Sequence, residues 1–249
     1  MIKAVVFDLD GVLYCGNKAV EGAIATVLAL RDLGKQVFYL TNNSGKTRWQ
    51  IVGKLRRLGF SAELQGTYCA SYALAKYLAE QKFSPVYLVG TEGLKNELSE
   101  CNVRMEDRPE VPAVVVGLDT DYCRKVPIAL NAIVKHGAKL VVANLDPWYP
   151  AGGGEILPGC GAVVGAIVGA TCHKPDFIVG KPNTYMLELF CKEHGLSAKD
   201  ICVVGDVPES DIKMADKFGC QSILFDPENV FQGFPNKINK LSELLSVLN

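Results

Sequence analysis

Residues 5–14 have the sequence Val-Val-Phe-Asp-Leu-Asp-Gly-Val-Leu-Tyr, and this stretch decides the fold that we expect. The apolar run before Asp8 is typical of a buried parallel strand, because such a strand is covered on both faces and shows no alternation. The run stops at two carboxylates, Asp8 and Asp10, and Gly11 then allows a sharp turn. Since ligands bind at the carboxyl ends of strands in open α/β sheets, the stretch predicts a site there.

The pair of carboxylates indicates a particular chemistry. Their repulsion is roughly 4 kcal/mol at about 4 Å and an effective dielectric of about 20, so a divalent cation or a retained proton must offset it. Both solutions suit phosphoryl transfer, with Asp8 attacking phosphorus and Asp10 first protonating the leaving oxygen and later activating water. The alternative is a surface Asp-Leu-Asp turn without catalytic role, which is the commoner origin of an isolated pair.

Composition excludes several classes of protein. The chain has 249 residues and a net charge of −1, which gives no support for nucleic-acid binding. No apolar run reaches the roughly 20 residues of a membrane span, and the first strand begins too early for a signal peptide. The nine cysteines are scattered and form no C-x-x-C pair, so we expect reduced thiols in the core. These observations predict a cytoplasmic protein.

Polar clusters also follow two later predicted strands. The strand at 37–40 ends in Thr41-Asn42-Asn43, ahead of a predicted helix over 48–58 whose N-terminus favours an anion. The strand at 201–204 ends in Gly205-Asp206, with Asp211 close behind. Four carboxylates at one sheet edge suit Mg²⁺. Each cluster alone is explained by an ordinary helix cap or surface turn.

A lysine completes the set of candidate residues. Lys181 directly precedes a predicted helix over 184–194, where its ammonium would neutralise a phosphate and the nucleophile's carboxylate. The ordinary alternative is a solvated lysine at a helix cap. Taken together, these three strand ends and the segment that carries Lys181 supply a nucleophile, an acid, a phosphate anchor, a cation and metal ligands.

The sequence pattern predicts two domains. Residues 83–176 alternate strands and helices with their own apolar faces, so we expect an inserted α/β domain, and residues 1–82 with 177–249 then form the first domain. Within the insertion a long Pro- and Gly-rich loop is expected over 147–161. The predicted strands of the insertion are 86–89, 113–116 and 140–143, and its predicted helices are 92–100, 122–136 and 162–170.

Four segments resemble the four motifs of the haloacid-dehalogenase (HAD) superfamily of phosphatases: FDLDGVLY at 7–14, LTNNS at 40–44, GKP at 180–182, and GD at 205–206 with Asp211. The insertion resembles the type-two cap of the NagD-like subgroup, which holds nitrophenyl, phosphoglycolate and pyridoxal-phosphate phosphatases. The resemblance implies a Rossmann-like core, with a parallel sheet and helices on both faces, and a smaller cap domain.

The resemblance also implies a role for each matching residue. Asp8 is the expected nucleophile and Asp10 the general acid and base. Magnesium is expected on Asp8, Asp206 and the backbone carbonyl of Asp10, with Asp211 as an outer ligand. The phosphoryl group is expected to contact Thr41, Asn42, Asn43 and Lys181.

The expected reaction is magnesium-dependent hydrolysis of small phosphomonoesters, such as p-nitrophenyl phosphate, pyridoxal phosphate, phosphoglycolate or nucleoside monophosphates. Substrate choice is expected in the cap loop over 146–154, where Trp148 would stack on a planar ring. The alternative is that Trp148 packs within the cap or a dimer interface. A homodimer that pairs through the cap is the expected assembly.

Other interpretations of these residues stay open. A phosphomutase or phosphotransferase would use the same nucleophile with a different acceptor. A phosphoacceptor signalling module would be much shorter and without an insertion, and a non-catalytic scaffold does not need the intact charged residues. Dehalogenation is not expected, because the dehalogenases that this chain resembles lack the second aspartate.

Overall fold

The computed structural model describes residues 2–152 and 154–248, and it forms strands and helices in alternation. The strands are β1 (Ala4–Phe7), β2 (Tyr14–Cys15), β3 (Lys18–Ala19), β4 (Gln36–Thr41), β5 (Thr67–Cys69), β6 (Val86–Val89), β7 (Ala113–Val116), β8 (Lys139–Val142), β9 (Trp148–Gly152), β10 (Glu155–Pro158), β11 (Phe177–Ile178), β12 (Ile201–Gly205), β13 (Gln221–Phe225) and β14 (Lys237–Ile238). The helices are α1 (Ala23–Asp32), α2 (Arg48–Arg57), α3 (Ala70–Glu80), α4 (Glu92–Glu100), α5 (Val126–His136), α6 (Cys160–Thr171), α7 (Tyr185–His194), α8 (Lys213–Phe218) and α9 (Leu244–Val247).

The chain divides into two compact units. The first contains the residues up to Thr41, residues 51–68 and the chain from Lys181 onward, and the second contains residues 42–50 and the described residues between 69 and 180. The second unit thus contains the described residues of the predicted insertion together with the segments 42–50, 69–82 and 177–180. The domain boundaries at residues 83 and 177 stay a prediction.

A parallel sheet forms the centre of the first unit, as predicted. Its strand order is β14-β13-β12-β1-β4-β5, and β1 pairs in parallel with both β12 and β4. All four residues of β1 are buried, which explains the uninterrupted apolar run in the sequence. The register pairs Phe7 with Val204 on one side and with Tyr39 on the other. The carboxyl ends of β1, β4 and β12 therefore lie side by side.

The second unit has its own parallel sheet, in the order β11-β8-β7-β6. Strands β6 and β7 have the predicted bounds, and β7 is buried throughout. The predicted loop over 147–161 is wrong in part, because β9 and β10 pair there as an antiparallel hairpin. Pro150 and Pro158 led us to predict a loop, because proline has no N–H to donate to a neighbouring strand. A two-stranded hairpin tolerates both prolines, because the outer edge of each strand has no neighbouring strand to receive a hydrogen bond. Gly153, within the predicted loop, lies outside the described residues.

Two further elements differ from the sequence prediction. The sequence predicts a helix over 68–82, but this helix begins at Ala70, because Thr67–Cys69 form a buried edge strand instead. The strand β13 was not predicted, although four of its five residues are buried. Across the described residues, none of the helices combines the length and apolar character needed to cross a membrane.

Helix α1 offers a direct test of where the core of the first unit lies. Leu30 is fully buried, whereas Leu28, two residues earlier on the same helix, is 51% exposed. Leu30→Ala should lower the free energy of unfolding by about 2–5 kcal/mol, because it leaves a cavity in the core. The matched change Leu28→Ala should cost no more than about 0.5 kcal/mol. Chemical denaturation of both variants measures the difference, and equal losses would contradict the packing described for α1.

Candidate active site

The first unit brings four of the predicted charged residues together at the carboxyl edge of its sheet. Asp8 follows β1, Asp206 follows β12, and Asp211 lies in a π-helical turn over Pro208–Ile212. One carboxylate oxygen from each of these three residues lies within 4.8 Å of the other two. Lys181 reaches the same place from the segment before α7.

Lys181 is the centre of this cluster. Its Nζ lies 2.6 Å from Oδ1 of Asp8 and 2.6 Å from Oδ1 of Asp211, and its side chain is only 4% exposed. The contact with Asp8 is the one that the sequence predicted. The contact with Asp211 was not predicted, because the sequence gave no sign that a π-helical turn would bring this residue back to the lysine.

Two glycines allow the carboxylates to pack against the backbone. Gly11 has a φ of +91°, and a Cβ at this position would lie 2.0 Å from Oδ2 of Asp206. A Cβ at Gly205 would lie 2.1 Å from the Cβ of Asp211. Since real Cβ atoms do not approach other heavy atoms so closely, a side chain at either position would displace a carboxylate of the cluster.

Burial sets the electrostatics of the cluster. Burial raises the pKa of Asp8; Lys181 opposes this shift, and the carboxylates of Asp211 and Asp206 add to it. Burial, followed by the charge of Asp211, raises the pKa of Asp206 to about 6. Burial alone would lower the pKa of Lys181, but Asp211 and Asp8 outweigh it and raise that pKa, so the ammonium keeps its charge.

The cluster fits a hard divalent cation. Three carboxylates and one ammonium leave a charge of −2 when all are ionised, which a divalent ion would balance. Among the described residues, the buried Oδ1 of Asp206 has no hydrogen-bond partner, as expected of a metal ligand. Asp211 accepts from Lys181 at Oδ1 and from the Val207 N–H at Oδ2, 3.2 Å away, so its oxygens already serve protein donors.

Asp10 lies beside the cluster in a different environment. Its side chain is 46% exposed, and its Oδ2 accepts a hydrogen bond of 3.3 Å from the Tyr14 hydroxyl. The Lys54 ammonium lies 3.9 Å from Oδ1 of Asp10 and 3.6 Å from the centroid of the Tyr14 ring. Burial, followed by the charges of Asp10 and Asp8, raises the pKa of Tyr14, so its hydroxyl keeps its proton and donates.

Sequence reasoning missed both Tyr14 and Lys54. Tyr14 stands in the deciding stretch, four residues after Asp10 and across a Gly-containing turn, and this spacing was the available signal. Lys54 comes from α2, and nothing in the sequence relates it to Asp10.

The predicted phosphate anchors are divided between the units. Thr41 ends β4 in the first unit and is buried. Asn42 belongs to the second unit, where its amide donates to Oδ1 of Asp146 at 3.0 Å, a partner that the sequence did not suggest. Oδ1 of Asn43 accepts the N–H groups of Gly45 and Lys46, so this side chain caps the turn before α2. Phosphate binding by these residues stays a prediction.

Trp148 lies on β9 of the second unit and is paired across the hairpin with Pro158. Its side chain is 55% exposed, so it does not pack into the interior of the second unit. Its role in binding a substrate stays a prediction.

Comparison with known proteins identifies the family. The model of the haloacid dehalogenase-like hydrolases matches residues 5–104, and a second, HAD-hydrolase-like model matches residues 178–227. Phosphoglycolate phosphatase 1A, chloroplastic, from Arabidopsis thaliana is 31% identical to the chain in an alignment over 247 residues, and this alignment covers 90% of this chain and 68% of that protein.

Solved structures agree with this match along nearly the whole chain. A p-nitrophenyl phosphatase from Archaeoglobus fulgidus superposes with a TM-score of 0.89 at 27% identity, covering 99% of both chains. A glycerol phosphate phosphatase from Mycobacterium tuberculosis, solved in complex with calcium, gives a TM-score of 0.86 at 28% identity and covers 97% of this chain and 74% of that one. The resemblance seen in the four sequence motifs is confirmed, and the chain belongs to the haloacid dehalogenase-like hydrolase family.

Proposed function

We propose that the chain is a magnesium-dependent phosphatase that hydrolyses small phosphomonoesters through an aspartyl-phosphate on Asp8. The observation that carries this proposal is the buried cluster in which Lys181 pairs with Asp8 and Asp211 while Asp206 keeps an unpartnered oxygen. Membership of a hydrolase family whose relatives carry the names of phosphatases supports the reaction class.

In the first step, an oxygen of Asp8 attacks the phosphorus atom and the ester P–O bond breaks. Asp10, in its acid form, gives its proton to the leaving oxygen, so an alcohol departs. Lys181 holds the attacking carboxylate in one orientation, and its charge offsets part of the negative charge that the phosphate brings. In the second step, Asp10 takes a proton from water, the water oxygen bonds to phosphorus, and the Asp8–phosphorus bond breaks to release phosphate.

The metal would be held by Asp8, Asp206 and the backbone carbonyl of Asp10, with Asp211 as an outer group. When bound, Mg²⁺ supplies positive charge for the phosphoryl oxygens and the attacking carboxylate. Asp211 would then orient Lys181 through its 2.6 Å contact while its other oxygen stays on the Val207 N–H.

The proposed substrates are small phosphorylated metabolites. The names of the relatives suggest phosphoglycolate, glycerol phosphate and p-nitrophenyl phosphate. The resemblance of the insertion to the type-two cap suggests pyridoxal phosphate, and stacking on Trp148 would also suit the base of a nucleoside monophosphate. Trp148 on its hairpin is our candidate for contact with the leaving group, and its exposed ring supports this role. A panel of these esters, assayed for phosphate release with Mg²⁺, ranks them.

Pairing through the second unit as a homodimer stays a prediction.

Asp8→Asn should abolish phosphate release, because an amide does not attack phosphorus. We expect a loss on the order of 10³-fold or more in kcat, the scale seen when a nucleophile that acts with its partners is removed. Asp200→Asn is the matched control, because Asp200 is also a buried carboxylate of the first unit and forms an ion pair with Lys3 at 2.9 Å. Asp200 precedes β12 and so lies at the amino end of that strand, whereas the site lies at the carboxyl end. A Asp8→Asn variant that folds and keeps the activity of the control would rule out the covalent mechanism.

Gly11→Ala should weaken Mg²⁺ binding by about 10- to 100-fold, the range seen when a group that orients a metal ligand is lost. The new Cβ would displace Asp206. Gly22→Ala is the control, because Gly22 also has a positive φ, +75°, but has open space around it. Isothermal titration calorimetry with Mg²⁺ measures both affinities. The same affinity in the two variants would show that the ion does not depend on Asp206.

A further inference from the structure

The geometry points to a second layer behind the general acid. Resting on the function proposed above, we infer that Tyr14 is a positioning residue that aims the carboxyl group of Asp10 at the leaving oxygen, and that Lys54 holds the Tyr14 ring in place. Neither residue touches the reacting atoms in this proposal. Both act through the orientation of one carboxyl group.

Asp10 needs such support because it is the exposed carboxylate of the site. Its side chain is 46% exposed, against 11% for Asp8 and 1% for Asp211. An exposed carboxyl group that follows a strand end rotates among several orientations unless a neighbour restricts it. General acid catalysis requires the proton to point at the leaving oxygen within hydrogen-bond reach, so this freedom would reduce the rate.

Tyr14 is placed so that it restricts the rotation of the Asp10 carboxyl group. The residue is only 4% exposed, and the backbone turn that carries it is closed by hydrogen bonds from the Gly11 N–H to the Tyr14 carbonyl, 2.9 Å, and from the Tyr14 N–H to the Leu9 carbonyl, 3.2 Å. The hydroxyl donates to Oδ2 of Asp10 at 3.3 Å. With Oδ2 engaged as an acceptor, Oδ1 is left to carry the proton that is transferred.

Lys54 fixes the ring in turn. Its ammonium lies 3.6 Å from the ring centroid, which is a close cation–π contact, and its side chain is 16% exposed. The ammonium also forms a long ion pair with Oδ1 of Asp10 at 3.9 Å, a distance too great for a hydrogen bond, so its charge attracts this oxygen without fixing its direction as the hydroxyl fixes that of Oδ2.

The effect of this positioning on the rate depends on how strongly the leaving oxygen needs a proton. As the ester P–O bond breaks, its electron pair goes to the leaving oxygen, and the proton moves from Oδ1 of Asp10 to that oxygen. A p-nitrophenolate group is a weak base and leaves without the proton, whereas phenolate is a stronger base and depends on it more. Phenyl phosphate and p-nitrophenyl phosphate share the same ring and therefore form a matched pair of substrates.

The test compares Tyr14→Phe with the wild type by kcat/KM for both esters in the presence of Mg²⁺. We expect the variant to lose about tenfold more activity on phenyl phosphate than on p-nitrophenyl phosphate, a part of the 10²–10⁴-fold that general acid catalysis contributes. Tyr39→Phe is the control, because it removes the hydroxyl of another buried tyrosine of the first unit, which donates to the Ser61 carbonyl at 3.2 Å. The control should lower both values equally or leave them unchanged.

A second pair of variants tests Lys54 and does not depend on the folding of the first. Lys54→Met keeps an unbranched apolar stem but removes the charge, and it should change the ratio of the two esters in the same direction as Tyr14→Phe. Lys54→Arg keeps a cation against the Tyr14 ring, and it should therefore keep the wild-type ratio of the activities on the two esters. Equal losses on both esters in Tyr14→Phe or Lys54→Met would overturn the positioning role and leave the phosphatase in place. An absence of phosphate release from either ester by the wild type would overturn both.

Discussion

The ammonium of Lys181, held between Asp8 and Asp211, is the interaction on which the rest of the site depends. Moving charges out of water is costly, and a buried ion pair is tolerated only with close geometry and further hydrogen bonds. Both contacts of 2.6 Å meet that requirement, and Asp211 is tied to the backbone of its own turn as well. Loss of the lysine would leave buried carboxylates uncompensated, which typically costs about 3–5 kcal/mol.

The same interaction explains why the site calls for a cation. One lysine does not balance the charge of three carboxylates, and the charge of Asp211 adds to the burial that raises the pKa of Asp206 to about 6. The fold keeps this arrangement because the parallel strands β1 and β12 end side by side. Gly11 and Gly205 then let two carboxylates approach the backbone more closely than any other residue would permit.

Much of this arrangement was predictable from the sequence, because it depends on where strands end. A buried parallel strand leaves an uninterrupted apolar run, and the polar residue after it marks the edge of the sheet, so Asp8 and Asp206 could be brought together without a structure. The π-helical turn that aims Asp211 at Lys181 has no such pattern. The contact of Lys54 with Tyr14 joins residues from different elements, and a single sequence carries no record of such a pairing. The hairpin of β9 and β10 was predicted as a loop because of its prolines, which the outer edges of a hairpin tolerate.

The aspartyl-phosphate is the central claim, and it can be observed directly. Wild-type protein turning over p-nitrophenyl phosphate with Mg²⁺ would be quenched in acid within the first turnover, digested and analysed by mass spectrometry. The account predicts a phosphoryl group on the peptide that contains Asp8 and its disappearance as the substrate is consumed. Turnover with no phosphorylated peptide, or with the phosphoryl group on another residue, would contradict it.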